Sequence, residues 1–195
     1  MGLTASMTDR MTQGQIIDAC RRGDRDAFRR LYDLHKDRVY TLALHFFHGD
    51  ESLAEDVVQE VFLRLHTRIR QFHGRSEFTT WLYRLVKNVC IDEQRKRKPW
   101  VSVEGDGVEL PADGRDEYGK VDLCMAVQEA LAQLKPEMRL AVLLRYFEDL
   151  SYEEMAEALG CTKGTVASRL NRCHRLLAKK LSPFRESFRN GGERC

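Results

Sequence analysis

The sequence predicts an all-α protein. Three observations point there. Only four prolines occur in 195 residues, no alternation of apolar and polar residues persists, and apolar residues return every three or four positions. Charged residues make up 32% of the chain and apolar ones 43%, a mix suited to helices with one buried and one solvated face.

Each element follows from its own pattern. Residues 1–13 read as loosely ordered. A helix over 15–22 stops at Gly23, since glycine readily takes the left-handed conformation that ends helices. A longer helix spans 24–48, with Phe28, Leu31, Tyr32, Leu34, Val39, Leu42 and Phe46 as its apolar positions. Ser52-x-x-Glu55 has the form of a capping box, in which each side chain satisfies the other's backbone N–H. It predicts a helix to about residue 70, buried along Leu53, Val57, Val61 and Leu65 and widened by Val58 and Phe62. Asp56, Gln59 and Glu60 flank that stripe and are left for a partner. A polar loop with Gly74 covers 71–77. The next helix, 78–98, buries Phe78, Leu82, Leu85 and Val89, keeps Asn88, Asp92, Arg95 and Lys96 off that face, and ends at Pro99.

Residues 99–120 change character, with four glycines, two prolines and many acids. They cannot bury enough apolar area to order themselves and read as a flexible acidic linker. The predicted organisation is therefore two small helical domains, 14–98 and 121–183, the linker 99–120 and a basic tail, 184–195. Four helices are expected in the second domain. Cys124, Val127, Leu131 and Leu134 line the first. Pro136 opens the second, lined by Leu140, Leu143, Leu144 and Phe147. Ser151-x-x-Glu154 opens the third, which stops at Gly160. After a turn over 161–164, the last helix spans about 165–181.

Charge is uneven along the chain. The formal net charge is only +2, yet residues 84–98 carry +4, residues 99–122 carry −5 and residues 163–195 carry +7. Two separated basic blocks suggest a polyanion touched at two places. No apolar run reaches the roughly 18 residues that span a bilayer, and the N-terminus lacks a signal-peptide core. A cytoplasmic protein without membrane insertion is expected, with its thiols reduced. The six cysteines lack zinc-knuckle spacing; Cys20, Cys90, Cys124 and Cys173 read as core or face residues. His45, His48 and Asp50 read as a polar helix end. No catalytic residue, metal or cofactor is expected, because no nucleophile–base pair or phosphate loop stands out.

The end of the chain carries the clearest chemistry. A helix, a glycine, a short turn and a second helix form a helix-turn-helix. Val166, Leu170, Cys173 and Leu177 face the core. Thr165, Ser168, Arg172, Arg175 and Lys179 take the opposite side, bordered by Arg169 and Asn171. Arginine bonds a guanine edge bidentately, and serine, threonine and asparagine read bases or phosphates.

Here the sequence resembles a family. LKPEMRLAVLLRYFEDLSYEEMAEALGCTKGTVASRLNRCHRLLAKKL (134–181) is similar to region 4 of bacterial sigma factors of the extracytoplasmic function group. AEDVVQEVFLRLH (54–66) resembles their region 2.2, and FTTWLYRLVKNVCIDEQRKRK (78–98) their regions 2.3 and 2.4. The blocks occur in family order. The resemblance implies a subunit that binds core RNA polymerase, through its β and β′ subunits, and directs it to promoter DNA. It implies polymerase contacts at Asp56, Gln59 and Glu60. It implies contacts to the −10 element from Phe72 or His73 and from Asn88, Asp92, Arg95 and Lys96. Contacts to the −35 element would come from Thr165, Ser168, Arg169, Asn171, Arg172 and Arg175. An anti-sigma factor is an expected further partner. Ala167 and Asn171 depart from the family pattern, so the bases read do not follow from the motif. The competing reading is an autonomous helix-turn-helix regulator that binds a palindrome as a dimer.

Overall fold

A computed structural model describes residues 11–97 and 123–182, with side chains from residue 126 onward in the second stretch. The segment 99–120, the tail 184–195, Lys98 and Cys124 as a core residue thus lie outside the described residues. Among the described residues there are eight α-helices, one 3-10 turn and no strand, so the all-α expectation holds. Contacts divide the chain into two compact units, Met1–Cys90 and Ile91–Cys195.

The first unit holds α1, Gln13–Arg21, α2, Arg25–Phe46, α3, Glu51–Arg68, a 3-10 turn at Ile69–Gln71 and the start of α4, Phe78–Arg97, which runs on past Cys90. The α1 helix opens on a capping box between Thr12 and Gln15, and Gly23 follows its end at φ +91°. Asp24 caps α2 by accepting from the N–H groups of Asp26 and Ala27 at 2.9 and 3.0 Å. The expected Ser52–Glu55 box does not form. Asp50 takes the cap, accepting from the Leu53 N–H at 3.0 Å, and α3 starts one residue before Ser52. A carboxylate already stood at the strongest capping position, so the serine became an ordinary first-turn residue.

The core of α2 also differs from expectation. Ala27, Leu31, His35, Val39, Leu42 and Phe46 are buried, whereas Leu34 is 56% exposed. A regular four-residue step puts His35 in the interior slot and turns Leu34 outward. The His35 ring sits 5.3 Å from the Phe78 ring at the start of α4 and meets the Gln13 amide at 3.3 Å.

In the second unit, α5 is Leu123–Ala132, α6 Pro136–Tyr146, α7 Tyr152–Leu159 and α8 Lys163–Lys180. Both α6 and α7 pack on α8. Pro136 opens α6, as its sequence position implies. Leu140, Leu143, Leu144, Met155, Leu170 and Cys173 are buried. Phe147, expected in this core, is 47% exposed because it falls one residue beyond the end of α6.

Candidate nucleic-acid and protein interfaces

The helix-turn-helix is built by local chemistry. Ser151 and Glu154 form the expected capping box, with the Ser151 hydroxyl and backbone N–H both donating to Glu154 at 2.6 and 2.8 Å. Those bonds hold the Glu154 carboxyl below its ordinary pKa. Gly160 ends α7 at φ +68°, ψ +43°, a conformation costly for any residue with a Cβ. Cys161 N–H then closes back on the Ala156 carbonyl at 2.9 Å.

The last helix begins two residues earlier than expected. Thr162 is its cap, accepting from the Thr165 N–H at 3.1 Å. Lys163 and Gly164 therefore lie in the first turn rather than in the linking turn. Lys163 pairs with Glu153 of α7 and holds the Glu153 carboxyl below the usual range, tying the two helices of the motif together at the surface.

Along α8, Val166, Leu170 and Cys173 are buried and Leu177 is half-buried. Ser168, Asn171 and Arg175 share the exposed face at intervals of three and four. Arg172 flanks them, half-buried. Thr165 is half-buried, with its hydroxyl 2.9 Å from that of Thr162. The Ser168 hydroxyl donates to the Thr165 carbonyl at 3.1 Å, so its lone pairs remain to accept. Arg169 is half-buried on the side turned toward the core. The His174 imidazole, also exposed, meets the Tyr146 hydroxyl at 2.7 Å.

In the first unit, Asp56 and Gln59 are exposed one turn apart on α3, clear of its buried stripe. Glu60 is half-buried and accepts from Arg64 Nε at 2.6 Å. Sequence reasoning missed Leu63, which continues the same face at 63% exposure; its only signal was an apolar residue out of register with the stripe. Phe72 is buried, with its ring 5.6 Å from Phe78 and 5.4 Å from the half-buried Trp81. His73, the next residue, is exposed at the loop surface. On α4, Trp81, Asn88, Asp92 and Arg95 follow one another at intervals of seven, four and three and form a single stripe. Lys96 lies off that stripe and bonds Glu93 at 2.6 Å.

Known proteins share both units. The family described as Sigma-70 region 2 matches residues 31–99, and Sigma-70, region 4 matches residues 124–173. The chain is 34% identical over 177 residues to the ECF RNA polymerase sigma factor SigW of Bacillus subtilis, covering 85% of this chain and 94% of that protein. It is 34% identical to the RNA polymerase sigma-H factor of Pseudomonas aeruginosa, covering 87% of this chain and 94% of that one. Among solved structures, the sigma factor RpoE bound to the anti-sigma factor NepR from Bartonella quintana aligns with a TM-score of 0.61 at 28% identity, covering 80% of this chain and 96% of that one. CnrH in complex with the cytosolic domain of CnrY aligns at 0.65 with 23% identity, which speaks to the fold.

Proposed function

Because this chain belongs to the extracytoplasmic function sigma factors of the sigma-70 family, and so is an alternative sigma factor that binds core RNA polymerase and directs promoter-specific initiation, we propose how its residues divide that work. Residues 14–98 act as region 2, bound to polymerase and the −10 element. Residues 121–183 act as region 4 on the −35 element, 99–120 link the two, and 184–195 form a tail. We read the chain as a binding subunit of the cytoplasmic polymerase, with no catalytic site of its own; among the described residues no helix is long and apolar enough to cross a membrane.

One observation carries the polymerase assignment: Asp56 and Gln59 stand exposed side by side on α3, outside its packing. Glu60, braced by Arg64, completes the patch, and Leu63 supplies an apolar contact that polar rims alone do not provide. We assign a −10 base to His73 of the 71–77 loop, a reading supported by its exposure. Phe72 supports it from below as part of the aromatic cluster. Asn88, Asp92 and Arg95 follow the strand along α4, with Lys96 to one side. On α8, Ser168, Asn171 and Arg175 meet DNA most directly. Thr165 and Arg172 flank them, and Arg169 reaches around from the core side. An anti-sigma factor is the proposed regulator, supported by the bound state of the RpoE relative.

The test is co-purification with core polymerase. Asp56→Arg with Gln59→Ala should abolish holoenzyme assembly and promoter-specific run-off transcription. Normal co-purification of that folded variant removes the patch from the polymerase interface.

A further inference from the structure

The 71–77 loop is closed at its base by two rings. Phe72 follows the 3-10 turn directly, and Phe78 is the first residue of α4. Their centroids stand 5.6 Å apart, edge to face at 89°, and both side chains are buried. Trp81, one turn into α4, lies 5.4 Å from Phe72 and 6.1 Å from Phe78. A fourth ring joins this cluster to the helices behind it. His35 of α2 stands 5.3 Å from Phe78, tilted by 53°, and its Nε2 meets the amide nitrogen of Gln13, the first residue of α1, at 3.3 Å. We propose that His35 is a positioning residue for the −10 loop: it holds Phe78, and through Phe78 the loop root at Phe72, in the place that lets His73 meet its base, while touching no DNA itself.

The choice of side chain at this slot supports the role. Leu31 and Val39, one turn to either side on α2, are fully buried, so an aliphatic residue would fit there. Burying an imidazole costs more than burying leucine unless its polar atoms are bonded. What the imidazole adds is a plane with a polar edge. The Gln13 amide nitrogen can only donate, so Nε2 accepts and that edge is fixed. The ring face is thereby set against Phe78, an orientation that a leucine would leave undefined. Burial, and then the Arg38 cation, lowers the His35 pKa, so the ring enters the cluster uncharged at neutral pH.

The loop needs such a base. Joining the two ends of a loop costs conformational entropy, and Gly74, at φ +67°, gives this one a further flexible point. His73 follows Phe72 directly, so its direction is set from the root. The role rests on the −10 reading of the loop, whereas the ring contacts do not.

The experiment uses holoenzyme, assembled from the full chain and core polymerase, on fork-junction DNA with an unpaired −10 strand whose bases are removed one at a time. In the parent, losing the base read by the loop should cost about tenfold in affinity, and His73→Ala should erase that difference. In His35→Leu the difference should shrink about threefold. Co-purification with core polymerase should stay as in the parent, and the melting midpoint should not fall, because leucine fills the slot without a polar cost. With Trp100→Phe in both proteins, Trp81 is the one tryptophan left, and acrylamide should quench it more steeply in His35→Leu. In a Phe78→Leu background, His35→Leu should add nothing, since its action passes through that ring.

An unchanged base difference in His35→Leu, with His73→Ala acting as stated, overturns the positioning role and leaves the loop reading standing. A His35→Leu loss that adds in full to that of Phe78→Leu overturns it as well, because the action then bypasses Phe78. A lower midpoint together with weaker co-purification makes the role one of folding alone. If His73→Ala changes nothing while His35→Leu shrinks the base difference and loosens Trp81 through Phe78, the assignment of the base to His73 fails and the positioning role stands.

Discussion

The Arg139 guanidinium bonds the carbonyl oxygen of Leu131 at 2.9 Å, beneath the end of α5. Its Nη2 donates to the Ala132 and Leu134 carbonyls at 2.7 and 3.2 Å. Helix ends leave their last carbonyls without intrahelical partners, and here a cation from the next helix supplies them. Arg139 is 4% exposed, and burial pulls its pKa down to about 10, so it remains charged at neutral pH.

Arg139→Met therefore removes these bonds, leaving the Leu131 carbonyl with the Leu134 N–H alone at 3.1 Å and taking the guanidinium from the Ala132 and Leu134 carbonyls, while roughly keeping the volume of the side chain. The second unit should lose about 2–4 kcal/mol of stability, read as a lower denaturation midpoint for that unit. Arg139→Lys should recover only part of the loss, since an ammonium lacks the planar fork that spans several acceptors. A midpoint within error of the parent protein would show that the three bonds contribute little.

On α8, base reading and backbone contact should separate. Arg172→Ala should cost about 1–3 kcal/mol at one −35 base pair if its guanidinium bonds a base edge, and should relax the preference there. Arg175→Ala, further along the exposed face, should weaken binding to all −35 sequences alike and flatten the salt dependence. Quantitative −35 variant libraries with holoenzyme decide between these; an unchanged preference in Arg172→Ala excludes that residue as a base reader.

Much of this architecture was legible because it is local. The Ser151–Glu154 box, Gly160 and Pro136 act within one helical turn, and no distant contact competes with them. Where two local signals competed, the sequence was ambiguous. Asp50 and Ser52 both suit a helix cap, and the residue fitting the chain's entry into α3 won. Gly164 resembles a turn residue, yet Thr162 starts α8 before it. Periodicity also fails to say which of two neighbours faces inward: Leu34 fits an apolar pattern by type, but His35 fits the four-residue step from Leu31 to Val39. Arg139 was invisible for a different reason. A cation in an apolar run is satisfied only by carbonyls that folding brings to it. At the candidate interfaces, residue type suggested both Phe72 and His73, and only burial tells them apart.

The α3 patch yields a prediction independent of charge. Leu63 is 63% exposed and lies one turn beyond Gln59 and Glu60. Removing it should not unfold α3, because its side chain contributes little to the core. Leu63→Ser should leave the melting curve nearly unchanged and weaken assembly with core polymerase several-fold, as expected for an apolar contact inside a polar rim. Equal affinity in a competition assay against the parent chain would place Leu63 outside the interface.

The buried imidazole in α2 gives the first unit a pH dependence of known sign. His35 is 6% exposed, and its pKa is lowered from 6.5 by burial and, to a lesser degree, by the Arg38 cation. In the unfolded chain the group takes up its proton near pH 6.5; in the folded unit it does so only at lower pH. Between those two values the unfolded state binds more protons, so stability falls as pH drops below 6.5. One group contributes a slope of at most about 1.4 kcal/mol per pH unit. His45, also lowered by burial, adds in the same direction. His35→Gln keeps a polar partner for Gln13 and removes the titration. Its denaturation midpoint should thus change less than the parent's between pH 7 and 5, whatever its absolute stability. The same slope in both proteins would show that His35 takes up its proton alike in the folded and unfolded chain, and would assign the acid sensitivity to His45.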